Sequence, residues 1–128
     1  MRSGAVNFVR HIRNMVTADG KRRVIYSFAN IIVMAIAVAA VVGIKLLWEG
    51  IDAGNVNFVA GAIAIIILLV VGVYSFLQGF VSQLALVIIA ATGFANPEQR
   101  GANVAAFVIA FITSVGLIIA AVILLLKL

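Results

Sequence analysis

At 128 residues, 66% apolar and 10% charged, the chain lies far from the composition of a water-soluble domain, which is about half apolar and a quarter charged. It is long enough for one compact domain and too short for a membrane bundle plus a separate catalytic domain. The net charge of +5 is concentrated at one end, where Arg2, Arg10, Arg13, Lys21, Arg22 and Arg23 face Asp19 alone, and the absence of cysteine excludes disulfides and thiolate metal sites. A basic segment abutting a long apolar run points to an anionic membrane surface as its partner, and no nucleic acid is expected.

Residues 1–20 read as an amphipathic segment. At 100° per residue Ala5, Phe8, Val9, Ile12, Met15 and Val16 share one arc, with Asn7, Arg10, His11, Arg13 and Asn14 opposite. Such a helix is expected in the headgroup plane at the cytoplasmic face, with Arg10 and Arg13 at lipid phosphates and His11 solvated. Asp19-Gly20 ends it. Lys21, Arg22 and Arg23, also expected at headgroups, then mark the cytoplasmic border of a first span over about 24–44. The small residues Ala37-Val38-Ala39 imitate a signal-peptide cleavage site, but the apolar run continues to Leu47, so an uncleaved N-terminus is expected. Lys45 and Trp48 suit the far interface, and a loop follows with Glu49, Asp52, Gly50, Gly54 and Asn55.

From Val56 to Ala95 there are forty residues without a charge or a histidine. One span takes about 20 residues, so this length serves either two spans or one overlong helix. Internal repetition favours two. Tyr26-Ser27-Phe28 recurs as Tyr74-Ser75-Phe76 and Asn55-Val56 as Asn103-Val104, both at a shift of 48. That register predicts spans at about 56–72 and 76–95, a tight turn at 72–75 with Gly72 as the C-cap, and two hairpins running in the same direction. A long kinked second helix, or an interfacial segment over 78–95, remain alternatives. Asn96-Pro97-Glu98-Gln99-Arg100-Gly101 is a loop, and a last span covers about 103–126. The expected fold is thus all-α: a polytopic membrane helical bundle over 21–128, with four transmembrane helices as two direct hairpin repeats, preceded by the interfacial helix.

The inventory for chemistry is short. His11 is the single histidine, and all four carboxylates fall in predicted loops, so no catalytic, cofactor or metal site is expected and the protein reads as a non-enzyme. No ionisable residue lies inside a predicted span, which disfavours proton-coupled transport. What remains is uncharged polarity: Asn30 in the first span, Gln78, Ser82 and Gln83 in the third, Thr113 and Ser114 in the fourth. These residues either hydrogen-bond between helices or line a path for water or a small solute. Small residues recur every four positions at Ala35, Ala39 and Gly43, and at Ala102, Ala106, Ala110 and Ser114, as in close helix–helix contacts.

Two functions follow as expectations. One is a structural or assembly subunit that binds itself or other membrane proteins; the other is a small oligomeric channel or passive transporter. The loop Asn96–Gly101 between two apolar helices resembles that of two-helix conjugative pilins, which implies a secretion-system subunit as a further alternative; four spans and an uncleaved N-terminus depart from that pattern. The expected location is a bacterial or archaeal cell membrane with the N-terminus cytoplasmic.

Overall fold

The computed structural model describes residues 2–127 and, for side chains, residues 4–124, 126 and 127. It contains four helices: α1 (Arg2–Thr17), α2 (Gly20–Asp52), α3 (Phe58–Thr92) and α4 (Arg100–Lys127), with a 3-10 turn at Gly93–Ala95 after α3. Three of them, α2, α3 and α4, are long and apolar enough to cross a membrane. They form an up-down-up bundle in which α2 and α3 make the most extensive contact.

Local chemistry fixes each boundary. Asp19 adopts extended backbone and its side chain accepts from the Arg22 amide at 2.9 Å, which starts α2. At the far end Gly54, with φ +79°, lets the chain reverse in a conformation that costs other residues energy. The amides of Asn55 and Val56 both return to the Gly50 carbonyl at 2.9 and 3.1 Å. Asn57 then caps α3 by accepting from the amides of Val59 and Ala60. After α3, Asn96 accepts from the Glu98 amide through its side chain, and Arg100 Nε donates to the Phe94 carbonyl at 2.7 Å. Every reversal of the bundle therefore uses an asparagine or glycine at the place where backbone groups lose their helical partners.

The turn expected at 72–75 is absent. The helix runs unbroken through Gly72-Val73-Tyr74-Ser75, and the described residues contain no positive-φ glycine other than Gly54. Gly72 serves a different purpose: a Cβ there would stand 3.1 Å from the Ala40 Cβ, so the missing side chain brings α2 and α3 together. A reversal at this point would expose carbonyls and amides in apolar surroundings with no side chain to satisfy them, whereas a continuous helix satisfies all of them internally. The duplicated-hairpin arrangement fails with it. In that arrangement the loop after α3 lies at the opposite end from the start of α2; here the Gly20 amide donates to Gln99 Oε1 at 3.2 Å, so both lie at one end. Spans expected at 56–72 and 76–95 are one helix, and α2 and α4 extend beyond the expected 24–44 and 103–126.

The N-terminal segment is helical as far as it is described. α1 is folded back along the bundle, parallel to α3 and antiparallel to α2. Gly4 lies against the Tyr74 ring, His11 meets Asn30 and the edge of Tyr26, and Met15 joins Leu86 in the core. The apolar arc read from the sequence is divided: Met15 is fully buried, Phe8 and Ile12 are partly covered, and Ala5, Val9 and Val16 stay exposed.

Close approach of α2 and α3 recurs at Gly79, where a Cβ would come within 3.0 Å of the Met34 amide nitrogen and 2.9 Å of its Cγ. Because the backbone itself is the obstacle, Gly79→Val is expected to push the helices apart and destabilise the fold by roughly 1–3 kcal/mol. Denaturation of the purified protein by titration with SDS, followed by circular dichroism, measures this; the exposed control Gly116→Ala, which meets nothing within 4 Å, should leave the midpoint in place.

Candidate functional site

The polar residues of the bundle converge in one layer. The stripe Ser27, Asn30, Met34, Ala37 and Ala40 forms the buried face of α2 together with Gly20 and Arg23. From α3 come Ser75, Gly79, Ser82, Gln83, Leu86 and Ala90, and from α4 Asn103, Ala106, Ala110 and Ser114. All three stripes repeat at three- and four-residue intervals, the spacing of one helix face. Apart from Met34 and Leu86 their members are small or polar, and most large aliphatic side chains point outward. This is the inside-out arrangement expected where lipid rather than water surrounds the helices, because small residues permit close contact and lipid-facing aliphatics cost nothing.

At the centre Gln83, fully buried, joins three helices. Its Nε2 donates to Thr113 Oγ1 at 2.8 Å and to the Ser27 carbonyl at 3.2 Å, and its Oε1 accepts from Asn30 Nδ2 at 3.0 Å. Asn30 Oδ1 is left to accept, and His11 Nε2 lies 2.8 Å away, so the histidine tautomer carrying a proton on Nε2 completes the pair. Thr113 in turn donates to the Ile109 carbonyl at 2.7 Å. A single file of donors thus runs α1 to α2 to α3 to α4, each amide donating to the next helix.

A second junction sits one layer nearer the N-terminus of α2. Arg23 is 8% exposed. Its Nε and one Nη donate to the carbonyls of Met15 and Val16 at 3.2 and 3.0 Å, and the other Nη to Asn103 Oδ1 at 2.8 Å. The last carbonyls of α1 have no intrahelical partner and carry the negative end of the helix dipole, so a guanidinium there is favourably placed. Asn103 Nδ2 donates back to the Gln99 carbonyl at 3.0 Å. Arg23 therefore ties α1 to α4. The headgroup role expected for it is replaced by this internal one, whereas Arg10, Arg13, Lys21 and Arg22 are exposed.

The other residues singled out in the sequence divide clearly. Ala106 and Ala110 are fully buried and face the bundle interior. By contrast Ala35 and Ala39 lie exposed on the outer face of α2, and Gly43 is half-buried against Leu68. Gln78 lines a cleft of about 290 Å³ between α1, α2 and α3, with Asn7, His11 and Asn30. Ser82 and Ser114 are buried with hydroxyl oxygens that meet no hydrogen-bond partner. Sequence reasoning missed His11, Arg23, Ser27 and Asn103 as members of the layer. For Ser27 and Asn103 the three-and-four spacing from Asn30 and Ala106 was the available signal. For Arg23 and His11 there was none, because both depend on α1 folding back.

The chemistry on offer is hydrogen bonding: His11 is bonded to the Asn30 amide, and the buried hydroxyls of Ser82 and Ser114 meet no hydrogen-bond partner. Among the described residues no three His, Cys, Asp or Glu side chains come close enough to hold a metal ion. No protein-family model, curated protein or solved structure matches this chain.

If the layer holds the helices together, its members should differ sharply in cost. Interhelical hydrogen bonds in an apolar medium contribute about 0.6–2 kcal/mol each. Gln83→Leu removes three and leaves Asn30 and Thr113 facing apolar surface, so a loss of about 2–4 kcal/mol is expected. Gln78→Leu, at the edge of a cleft, should cost about 0.5 kcal/mol or less. Unfolding titrations of the two variants in one detergent compare them directly.

Proposed function

We propose that the protein is a non-enzymatic structural or assembly subunit of a membrane complex, formed with copies of itself or with other membrane proteins. The observation that carries this reading is the direction in which its polarity points. The amides and guanidinium of the bundle are turned inward and bonded to one another, while the outer face of α2 presents the small residues Ala35 and Ala39 one turn apart, unused by α3 or α4. Such a face suits a partner helix at close range.

In this reading the protein is integral to a bacterial or archaeal cell membrane with its N-terminus cytoplasmic. Lys21, Arg22 and Arg100 gather at one end of the bundle, which favours that end as the inner one. Lys45 and Lys127 lie toward the other end, near the C-terminal ends of α2 and α4. A hydrocarbon core of about 30 Å takes about 20 residues of each helix. Measured from Lys45 and Lys127, it puts Asn30 and Thr113, with Gln83 bonded to both, roughly 8 Å inside the inner boundary. The exposed valines of α1 then meet acyl chains, while Arg10 and Arg13 reach anionic headgroups on their long stems.

A second reading has a specific observation in its favour. The orphaned hydroxyls of Ser82 and Ser114, and the polar cleft at Asn7, His11, Asn30 and Gln78, suit water or a small uncharged solute, as in a small oligomeric channel or passive transporter. The two readings part on one pair of experiments. The subunit reading expects a stable oligomer or a copurifying partner in mild detergent, and its loss in Ala35→Leu/Ala39→Leu with helicity retained, as measured by analytical ultracentrifugation. Solute flux into liposomes that is abolished by Gln78→Leu with Ser82→Ala would favour the channel instead.

A further inference from the structure

The half of the bundle away from the polar layer is not closed. Between α2, α3 and α4 lies a cavity of about 290 Å³ whose lining is wholly hydrocarbon. Small residues keep it open: Ala37 and Ala40 on α2, Gly72 on α3, and Ala120 and Ala121 on α4. An apolar cavity of about 150 Å³ in a soluble protein stays dry and accepts a hydrocarbon guest, because water finds no polar partner in it. This one has about twice that volume and lies in the spanning part of three helices.

Position along the helices adds the second observation. Val38, Val41 and Ile44 line the cavity from α2, and Lys45 continues that face, seven residues past Val38 and four past Val41. Leu117, Ala120 and Leu124 line it from α4, and Lys127 continues that face, three residues past Leu124 and seven past Ala120. Both lysines are exposed. Each stands one turn or less beyond the cavity's end, on different helices. Glu49 continues the same face a further turn out, four residues past Lys45 and five past Ile44, the last α2 residue that lines the cavity. The hydrocarbon slot thus ends in two cations, the complement of a molecule with an alkyl chain and an anionic head.

We propose that this cavity is a binding site for an anionic phospholipid, with one acyl chain between α2, α3 and α4 and the phosphate between Lys45 and Lys127. The proposal rests on residence in a bilayer and is independent of assembly with a partner. Bound in this way, the lipid fills the opening that the small residues leave and neutralises two positive charges at the membrane boundary.

Trp48, the single tryptophan, is exposed and lies one turn beyond Ile44, which makes it a native reporter. The full chain is reconstituted into phosphatidylcholine vesicles containing increasing fractions of brominated phosphatidylglycerol or brominated phosphatidylcholine, and Trp48 fluorescence is followed. Expected is an apparent association at least twofold stronger for the anionic lipid. That preference should disappear in Lys45→Gln/Lys127→Gln, and quenching by the anionic lipid should fall in Ala120→Phe, which fills the slot. Equal quenching by the two lipids in the unaltered protein, or a preference untouched by either variant, overturns the proposal. Since the chain lacks cysteine, Ala120→Cys offers a third readout. A disulfide between copies at high dilution in lipid assigns the slot to a second copy and overturns the proposal too. Absence of quenching by either lipid would mean that the protein does not enter the bilayer at all, and would fail the membrane reading itself.

Discussion

Gln83 is the point on which the bundle turns. Three nearly featureless helices of aliphatic residues have no reason to choose one rotation or one register over another in a lipid-like medium, where burying more hydrocarbon brings no gain. A buried amide changes this. It must meet donors and acceptors at fixed distances, and Gln83 does so only when Asn30, the Ser27 carbonyl and Thr113 stand at its level. The file from His11 through Asn30 and Gln83 to Thr113 runs in one donor direction, so each bond polarises the next and the set behaves as a unit. Arg23 extends the same logic to the chain ends by holding the last carbonyls of α1 and the side chain of Asn103 together.

The consequence for function is that polarity here sets architecture. A solute path needs polar groups left free to face it; most of those in this layer already face one another. The exceptions, Ser82 and Ser114, are hydroxyls with no carboxylate or histidine hydrogen-bonded to them. What the bundle presents outward is hydrocarbon, relieved by the small residues of α2 and by cations at both ends. That outward surface is what the proposed subunit role rests on.

Much of this was legible in the sequence, and the part that was not has a physical cause. Helicity, membrane character and the polar residues Asn30, Gln83 and Thr113 could be read from composition and turn chemistry; the loops expected at 45–55 and 96–101 are shorter, because α2 continues to Asp52 and α4 begins at Arg100. The rotation of the helices was harder. An amphipathic helix in water announces its buried face by its hydrophobic residues; in α2–α4 the apolar residues point outward, and the buried face is marked by small and polar residues at three- and four-residue steps. Counting only every fourth position selected Ala35 and Ala39, which lie outside, instead of Ala37 and Ala40, which lie within. The repeat at a shift of 48 misled more seriously. It gave Gly72 the role of a helix terminator, when its lack of a side chain serves contact with Ala40. Glycine alone does not distinguish these uses; Gly54 lies in a polar stretch with Asp52 and Asn55, whereas Gly72 sits among valines. The inward turn of Arg23 and His11 depended on α1 folding back, a tertiary event that local pattern does not encode.

A helix of 35 residues is about 52 Å long, about 20 Å more than the hydrocarbon core needs. The continuous α3 therefore projects at one or both ends, and it sends the chain across the bundle once between Asn57 and Gly93. That single passage is the claim on which the arrangement of the polar layer depends. Glu98→Cys, alone in a chain without cysteine, can be labelled with a membrane-impermeant maleimide from each side of sealed vesicles, beside Arg13→Cys as the marker for the N-terminal side. Labelling of both positions from the same compartment is the predicted result. Labelling of position 98 only from the opposite compartment would contradict an unbroken α3 and the hydrogen-bonded layer built on it.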